Sequence, residues 1–271
     1  MTNDDNIDEC IQILSSMLKQ ETQYLSVHHL HITKKDSNIN NVSRMRDFSK
    51  NRDYDIVDVS TREKICEWMF YLIDKIGMQR ETAIIAMNYL DRFMSTKTPR
   101  AKRARRNKRE YYLVAFSCLY IAVKISEHIM ISADAISELS NRKYSTEAIL
   151  SCERHILASL RWKLNGPTPF QFIDYMLQLL PGNGDAIKLC TIEARRQVEV
   201  AVHDAACVPL RRSTISISAL LNSLDRVSED SMSSDEKIEF IRRISGVVGY
   251  DVEESLMITA CRNRLISVDR Q

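Results

Sequence analysis

The stretch 82–94, T-A-I-I-A-M-N-Y-L-D-R-F-M, limits what this chain can become more than any other. Read as a helix, it carries apolar side chains on nearly every face. Such a helix is stable only when other helices surround it. Yet Asp91 and Arg92 stand in its last turns, and a charge taken out of water without a partner is costly. The segment therefore requires a bundle around it and a partner for Asp91.

Composition meets the first requirement. Only 6 Gly and 5 Pro interrupt 271 residues, and strong helix formers abound, so an all-α protein is expected. No uninterrupted apolar run approaches the ~18 residues of a membrane span. The N-terminus, MTNDDNIDEC, is acidic and lacks the basic-then-apolar order of a secretory leader. The 7 cysteines are widely spaced, with no C-x-x-C pair. They read as reduced thiols packed as small hydrophobes, not as a metal or disulfide site. His28, His29 and His31 lie in a polar segment without a nearby Cys and read as solvated. No metal and no cofactor is expected.

Periodicity then places the helices. Residues 7–30 suggest a first helix with Ile7, Ile11, Leu14, Leu18 and Tyr24 on one face, and 31–59 read as a polar linker. Ser60 and Glu63 have capping-box spacing and open a helix to about Ile76, with Ile65, Trp68, Met69, Leu72 and Ile76 as its stripe. Helices over 82–95, 110–124, 133–140 and 145–160 complete a set of five. Gly166-Pro-Thr-Pro169 breaks the chain, and Pro169 suits a first helical position. A near-repeat follows over 169–180, 186–207, 213–226, 234–246 and 251–266. Its last two helices open on the start signals Ser233–Glu236 and Asp251–Glu254. The expected organisation is an N-terminal helix and linker over 1–59, one α-domain over 60–165 and a similar one over 166–271.

Net charge is only +2, but residues 97–109 hold eight basic side chains and no acid. Such a block repels itself and is expected as an exposed loop. A nuclear-import signal, a plain solvated loop and a nucleic-acid contact all remain open for it.

Several runs, in order, resemble a known family. They are T-R-E-K-I-C-E-W-M (61–69), T-A-I-I-A-M-N-Y-L-D-R-F-M-S (82–95), L-V-A-F-S-C-L-Y-I-A-V-K (113–124) and the stretch from Tyr144 to R-W-K-L-N at 161–165. Together they resemble a cyclin box, and P-T-P-F-Q-F-I-D-Y-M-L (167–177) resembles the start of the second cyclin fold. The match covers roughly 60–266. Y-L-D-R-F, R-W-K-L-N, T-P-x-x-F-I-D and the early L-K-Q-E-T-Q-Y-L lean towards the D-type branch, although no L-x-C-x-E retinoblastoma-binding motif is present.

The resemblance implies two tandem five-helix cyclin folds with an extra N-terminal helix. It also implies a partner for Asp91, namely Arg62, whose guanidinium can meet the carboxylate with two parallel hydrogen bonds. Asp91 as a catalytic acid is the rival, but no second carboxylate, nucleophile or metal cluster accompanies it. No catalytic residue is expected, and the chain is not expected to be an enzyme. By resemblance, Lys124 and Glu153 grip the regulatory helix and activation segment of a cyclin-dependent kinase. Both are expected to be exposed in the free protein. Ile121, Ile125, Leu157, Trp162 and Leu164 map to the apolar pocket that receives that helix, with core packing as the alternative for each. The family's substrate-docking patch maps to Thr61, Lys64, Ile65 and Trp68, with Tyr112 opposite. Only Ile65 and Trp68 keep the apolar character, so the usual Arg-x-Leu motif is not expected to dock normally. Ser126 stands where the family usually has Glu, with Glu127 following.

The function implied is a regulatory subunit that binds and activates a cyclin-dependent protein kinase in cell-cycle control. The expected partners are that kinase and its protein substrates, with no membrane and no nucleic acid. The expected location is the nucleus, with shuttling to the cytoplasm left open. The alternative is a transcription factor of the same double fold, binding nucleic acid or the transcription machinery.

Overall fold

A computed structural model of the protein describes residues 3–27, 29, 57–181 and 184–269. Most of the expected linker, residues 31–56, and His28 and His31 lie outside the described residues. Helices α1 (Asn3–Glu21), α2 (Val59–Ile76), α3 (Arg80–Met94), α4 (Pro99–Ala104), α5 (Lys108–Ser126), α6 (Ala133–Leu139) and α7 (Thr146–Ser159) come first. Then follow α8 (Pro169–Leu177), α9 (Gly184–His203), α10 (Arg212–Leu224), α11 (Ser234–Val248) and α12 (Leu256–Asp269). The chain divides into two compact units, one of Val27–Trp162 and one of Met1–Ser26 with Lys163–Gln271.

In the first unit α5 is the innermost helix, lying against α3 and α7. Leu113 to Val123 are all buried, as the continuous apolar sequence requires. The nearly all-apolar segment 82–94 lies in α3, and its Asp91 and Arg92 are both buried. Helix α2 stops at Gly77, whose φ of 74° is the left-handed conformation that glycine adopts without a Cβ penalty.

The start of α2 differs from expectation. Asp58, not Ser60, is the cap, accepting from Thr61 N at 2.9 Å and Thr61 Oγ1 at 2.6 Å. Because the helix begins at Val59, Ser60 already lies inside it and cannot act as a cap. The basic segment is not a plain loop either. Thr98 caps a six-residue helix with Pro99 in its first turn, and Lys108 opens α5 under the Asn107 cap. Arg100 binds Glu110 at 2.7 Å, and Arg105 donates to the carbonyls of Met94 and, at 3.1 Å, Thr96. Local ion pairs and carbonyl contacts thus offset the self-repulsion that argued for a loop.

In the second unit α10 is innermost, between α9 and α12 and against α8. The N-terminal helix belongs to this unit and packs on α8 and α11. It is shorter than the expected 7–30, ending at Glu21 in a 3-10 turn over Thr22–Tyr24. Its buried stripe is Cys10, Leu14, Met17, Glu21 and Tyr24, so Leu14 and Tyr24 of the expected face are buried while Ile7, Ile11 and Leu18 are half-buried. Glu21 joins this stripe for a polar reason: it accepts from Ser213 N at 3.1 Å and Ser213 Oγ at 2.6 Å, closing the N-terminus of α10. The last helix begins at Leu256 and not at 251, because Asp251 accepts from Glu253 N at 2.9 Å in a turn of its own. All 7 cysteines are buried and unbridged.

Candidate kinase-binding site and docking patch

Arg62 and Asp91 meet as a buried bidentate pair. Arg62 Nε donates to Asp91 Oδ1 at 3.0 Å and Nη2 to Oδ2 at 2.8 Å, and the residues are 2% and 5% exposed. Burial acts against the guanidinium charge, but Asp91 outweighs it and holds the Arg62 pKa above its ordinary value. The Tyr111 hydroxyl is buried beside this pair without a hydrogen-bond partner, and burial raises its pKa. His29 corrects the solvated reading. Its side chain is 3% exposed, with Nε2 3.9 Å from Asp91 Oδ1 and Nδ1 3.4 Å from the Val27 carbonyl. Burial depresses the imidazole pKa, against the pull of Asp91 and with the help of Arg62 and Arg105.

Lys124 and Glu153 are brought together. Lys124 Nζ lies 2.6 Å from Glu153 Oε1 and 4.6 Å from the centre of the Tyr120 ring. The Lys124 side chain is 43% exposed but that of Glu153 only 9%, so the expectation that both are exposed fails for Glu153. It sits on the inward side of α7, where Lys124 from α5 is its charge partner. The pair is therefore made before any partner arrives. A partner covering it would remove the remaining water and strengthen the attraction.

The apolar candidates divide. Ile121 and Leu157 are buried, at 2% and 8% exposure, and hold α5 against α7 as core. Ile125 and Trp162 are exposed, at 43% and 71%, and are free to meet a partner. Leu164 is half-buried and falls in the other compact unit, so it is not grouped with them. Ile129 and Met130, also exposed, extend the apolar surface beyond the end of α5 and were missed by periodicity. Their signal was an apolar Ile-Met-Ile run with no helical stripe to absorb it. The Trp162 backbone is unusual. Arg161 and Trp162 both have left-handed φ, 54° and 58°, closed by a hydrogen bond from Trp162 N to Leu157 O at 3.0 Å. Side chains other than Gly pay about 1–2 kcal/mol each for this conformation. Glu127, the acid left near the family's usual position, is occupied. It accepts from Gln79 N at 3.0 Å and from Thr82 Oγ1, closing the start of α3.

In the docking patch Ile65 is core, 3% exposed, and Trp68 and Tyr112 are half-buried. Thr61 is buried as part of the Asp58 cap, and Lys64 is exposed. Among the described residues no group of three His, Cys, Asp or Glu side chains is placed to hold a metal ion. None of the described helices is long and apolar enough to cross a membrane.

The family described as "Cyclin, N-terminal domain" matches residues 12–165, more than half of the chain. The chain belongs to the cyclin family. It is 27% identical over 211 residues to the G1/S-specific cyclin-D2 of Xenopus laevis, covering 76% of this chain and 68% of that one. The G1/S-specific cyclin-D1 of the same organism is 25% identical over 210 residues, with the same coverage. Among solved structures, a viral cyclin from herpesvirus saimiri superposes with a TM-score of 0.61 at 15% identity, covering 79% of this cyclin and 87% of that chain. The CAK complex of Chaetomium thermophilum bound to ATP-gamma-S gives 0.53 at 18% identity, covering 77% and 62%. Such low identities speak to the fold. The relatives place this cyclin near the D-type branch.

Proposed function

We propose that this cyclin binds and activates a cyclin-dependent protein kinase in cell-cycle control, supplying no catalytic group itself. The observation that carries the reading is the preformed Lys124–Glu153 pair beside exposed Ile125. An amphipathic helix laid against an apolar surface with fixed charges has its register set by those charges. Docking would act by position, moving the kinase's regulatory helix inward so that the kinase's own Lys–Glu pair forms and aligns the phosphates. The names of the D-type relatives support the cell-cycle setting, and the CAK complex supports a kinase-linked one.

The test uses exposed groups, so that loss of fold does not confuse it. Ile125→Ala with Trp162→Ala should keep the helical content and melting curve. Loss of an anchor at an interface centre costs about 2 kcal/mol or more, so kinase affinity should fall by over tenfold. Undiminished activation of a panel of recombinant cyclin-dependent kinases by the double variant, measured beside circular dichroism, refutes the proposed interface.

We also propose that the basic segment directs nuclear import. Lys102, Arg103 and Arg106 are exposed, whereas Arg105 is spent on backbone carbonyls. Replacing those three by Ala should move a fluorescent fusion to the cytoplasm. An unchanged nuclear signal removes that role.

A further inference from the structure

Two alanines orient the short helix α4. Ala101 and Ala104, three residues apart and so on one side of it, are fully buried, and α4 lies against α3 and α5. Its other sides are basic. Lys102 and Arg103 are exposed, as are Arg106 in the turn that follows and Lys97 just before the Thr98 cap. Arg100 turns towards α7, where its Nη1 lies 3.3 Å from His155 Nδ1. Arg154 and His155 are both exposed there, on the outer side of α7. The basic run is therefore not an isolated segment. The fold sets it beside a second helix that adds Arg154 to it.

Acids are few on this face. Residues 97–109 contain none. Glu110 is held by Arg100 Nε at 2.7 Å and Arg103 Nη2 at 3.4 Å, and Glu153 is turned inward onto Lys124. Glu147 is exposed, but it lies in the first turn of α7, about two turns before Arg154. Apolar anchors are missing as well. None of the exposed large apolar side chains falls within 97–109 or within α7. A folded protein partner is normally anchored by buried aromatic or aliphatic side chains at the centre of its interface. Single-stranded nucleic acid is held by aromatic faces on which its bases stack. This face offers neither. The phosphates of a duplex need neither, because their affinity comes from protein cations displacing condensed counterions.

We propose that the joined outer face of α4 and α7 binds the phosphate backbone of a nucleic-acid duplex without reading its sequence. Lys102, Arg103, Arg106 and Arg154 make the contacts. Arg100 and Arg105, spent on Glu110 and on backbone carbonyls, hold the short helix in place for them. Phosphate contacts fix position and carry no sequence information. The expectation of no nucleic-acid partner took the charge as confined to one loop, and Arg154 extends it onto a second element. This binding does not rest on the kinase-activating reading. It also differs from nuclear import, which needs only the basic segment and not Arg154.

The test is fluorescence anisotropy on the full chain, without a kinase, over a series of salt concentrations. The probes are a labelled DNA duplex, an RNA duplex, a single-stranded oligothymidine and a polyglutamate of matched charge. Phosphate contacts by those four side chains give a slope of log affinity against log salt of about −3.6, so duplex affinity should fall roughly a hundredfold between ~50 and ~200 mM salt. Arg106→Ala with Arg154→Ala should make the slope shallower by about two. Lys75→Ala with Lys188→Ala, which removes exposed lysines of α2 and α9, should leave it unchanged. All four side chains are exposed, so both variants keep the fold, and circular dichroism checks it. Binding of either duplex supports the proposal, and the two together show which one is preferred. No duplex binding at low salt, or oligothymidine or polyglutamate bound as tightly as a duplex, overturns it. So does an unchanged slope in the arginine variant, or an equal change in the lysine variant.

Discussion

In the first unit the innermost helix, α5, buries Leu113 to Val123 with only Ser117 and the Tyr120 hydroxyl as polar side-chain groups, whereas in the second the innermost helix, α10, buries Ser213, Thr214, Ser216, Ser218, Asn222 and Ser223. An apolar centre needs only complementary volumes, and its helices could shift slightly without losing any directed bond. A polar centre must give each hydroxyl and amide an acceptor or donor. Ser223 returns its proton to Ala219 O at 2.7 Å, within its own helix. Ser216 Oγ lies 2.8 Å from Arg212 O of its own helix and 2.9 Å from Pro169 O, and Ser218 Oγ lies 3.4 Å from Ile258 O, so α10 has hydroxyl contacts to both α8 and α12. Asn222 donates to Gln197 at 2.9 Å and accepts from Arg262 Nε at 3.0 Å. The units also hold charge differently. The first buries a complete ion pair, and the second buries Glu21 against a helix N-terminus.

The sharpest way to break this comparison is to remove half of the ion pair. Asp91→Ala should destabilise the first unit by about 3–5 kcal/mol, because Arg62 is left charged and dry. Replacing both partners, Arg62→Met with Asp91→Leu, should recover most of that loss. Hydrogen exchange of the α5 amides reads both variants, and an α5 as protected in Asp91→Ala as in the parent would show that the pair is incidental.

Next in size is Glu21→Ala, expected to cost about 1.5–3 kcal/mol, since a charged acceptor of two buried donors is lost. The loss should appear in α10 exchange and leave α5 unchanged. Equal loss in both helices would mean that the N-terminal helix does not act through α10.

Smaller still are the hydroxyls. Ser216→Ala should cost about 1 kcal/mol, because its hydroxyl is shared between Arg212 O in its own helix and Pro169 O at 2.9 Å, whereas Ser117→Ala, whose contact across to Ile149 O is 3.5 Å, should cost less. Its firm bond is to Leu113 O, at 2.9 Å, within its own helix. Urea denaturation of the two variants ranks them. The reverse order would mean that hydroxyl contacts between helices do not distinguish the two centres.

The smallest effect is a pH slope confined to the first unit. The His29 pKa is lower in the folded protein than its ordinary value of about 6.5. Above that value both states leave it neutral. As the pH falls through it, the unfolded chain takes up a proton that the folded one resists, so stability declines towards acid. His29→Gln should flatten the change between pH 7 and pH 5. An unaltered slope in thermal melts would remove His29 as its source.

Much of this architecture is legible in the residues because helix periodicity and breakers are local signals. The segment 82–94 must be central, and Pro169 must begin a helix, whatever surrounds them. Where local signals competed, the reading failed. At 97–109 the charge run outweighed Thr98 and Pro99, which mark a short helix, because the offsetting contacts to Glu110 and to the Met94 and Thr96 carbonyls come from elsewhere. Of the candidate kinase-binding residues, sequence could not separate buried Ile121 and Leu157 from exposed Ile125 and Trp162. An apolar side chain looks the same in a core and in an unfilled groove.

The sequence by itself determined an all-helical chain, the placement of most helices, and the demand that Asp91 be paired. Each follows from the cost of exposing hydrocarbon or burying a charge, which any compact form of this chain must meet. Only the tertiary structure decided that α1 packs with the second set of helices and that Glu21 closes α10. It alone brought Glu153 inward onto Lys124 and His29 to Asp91. These are contacts between residues far apart in the chain, and polar side chains have many possible partners that only packing can choose among.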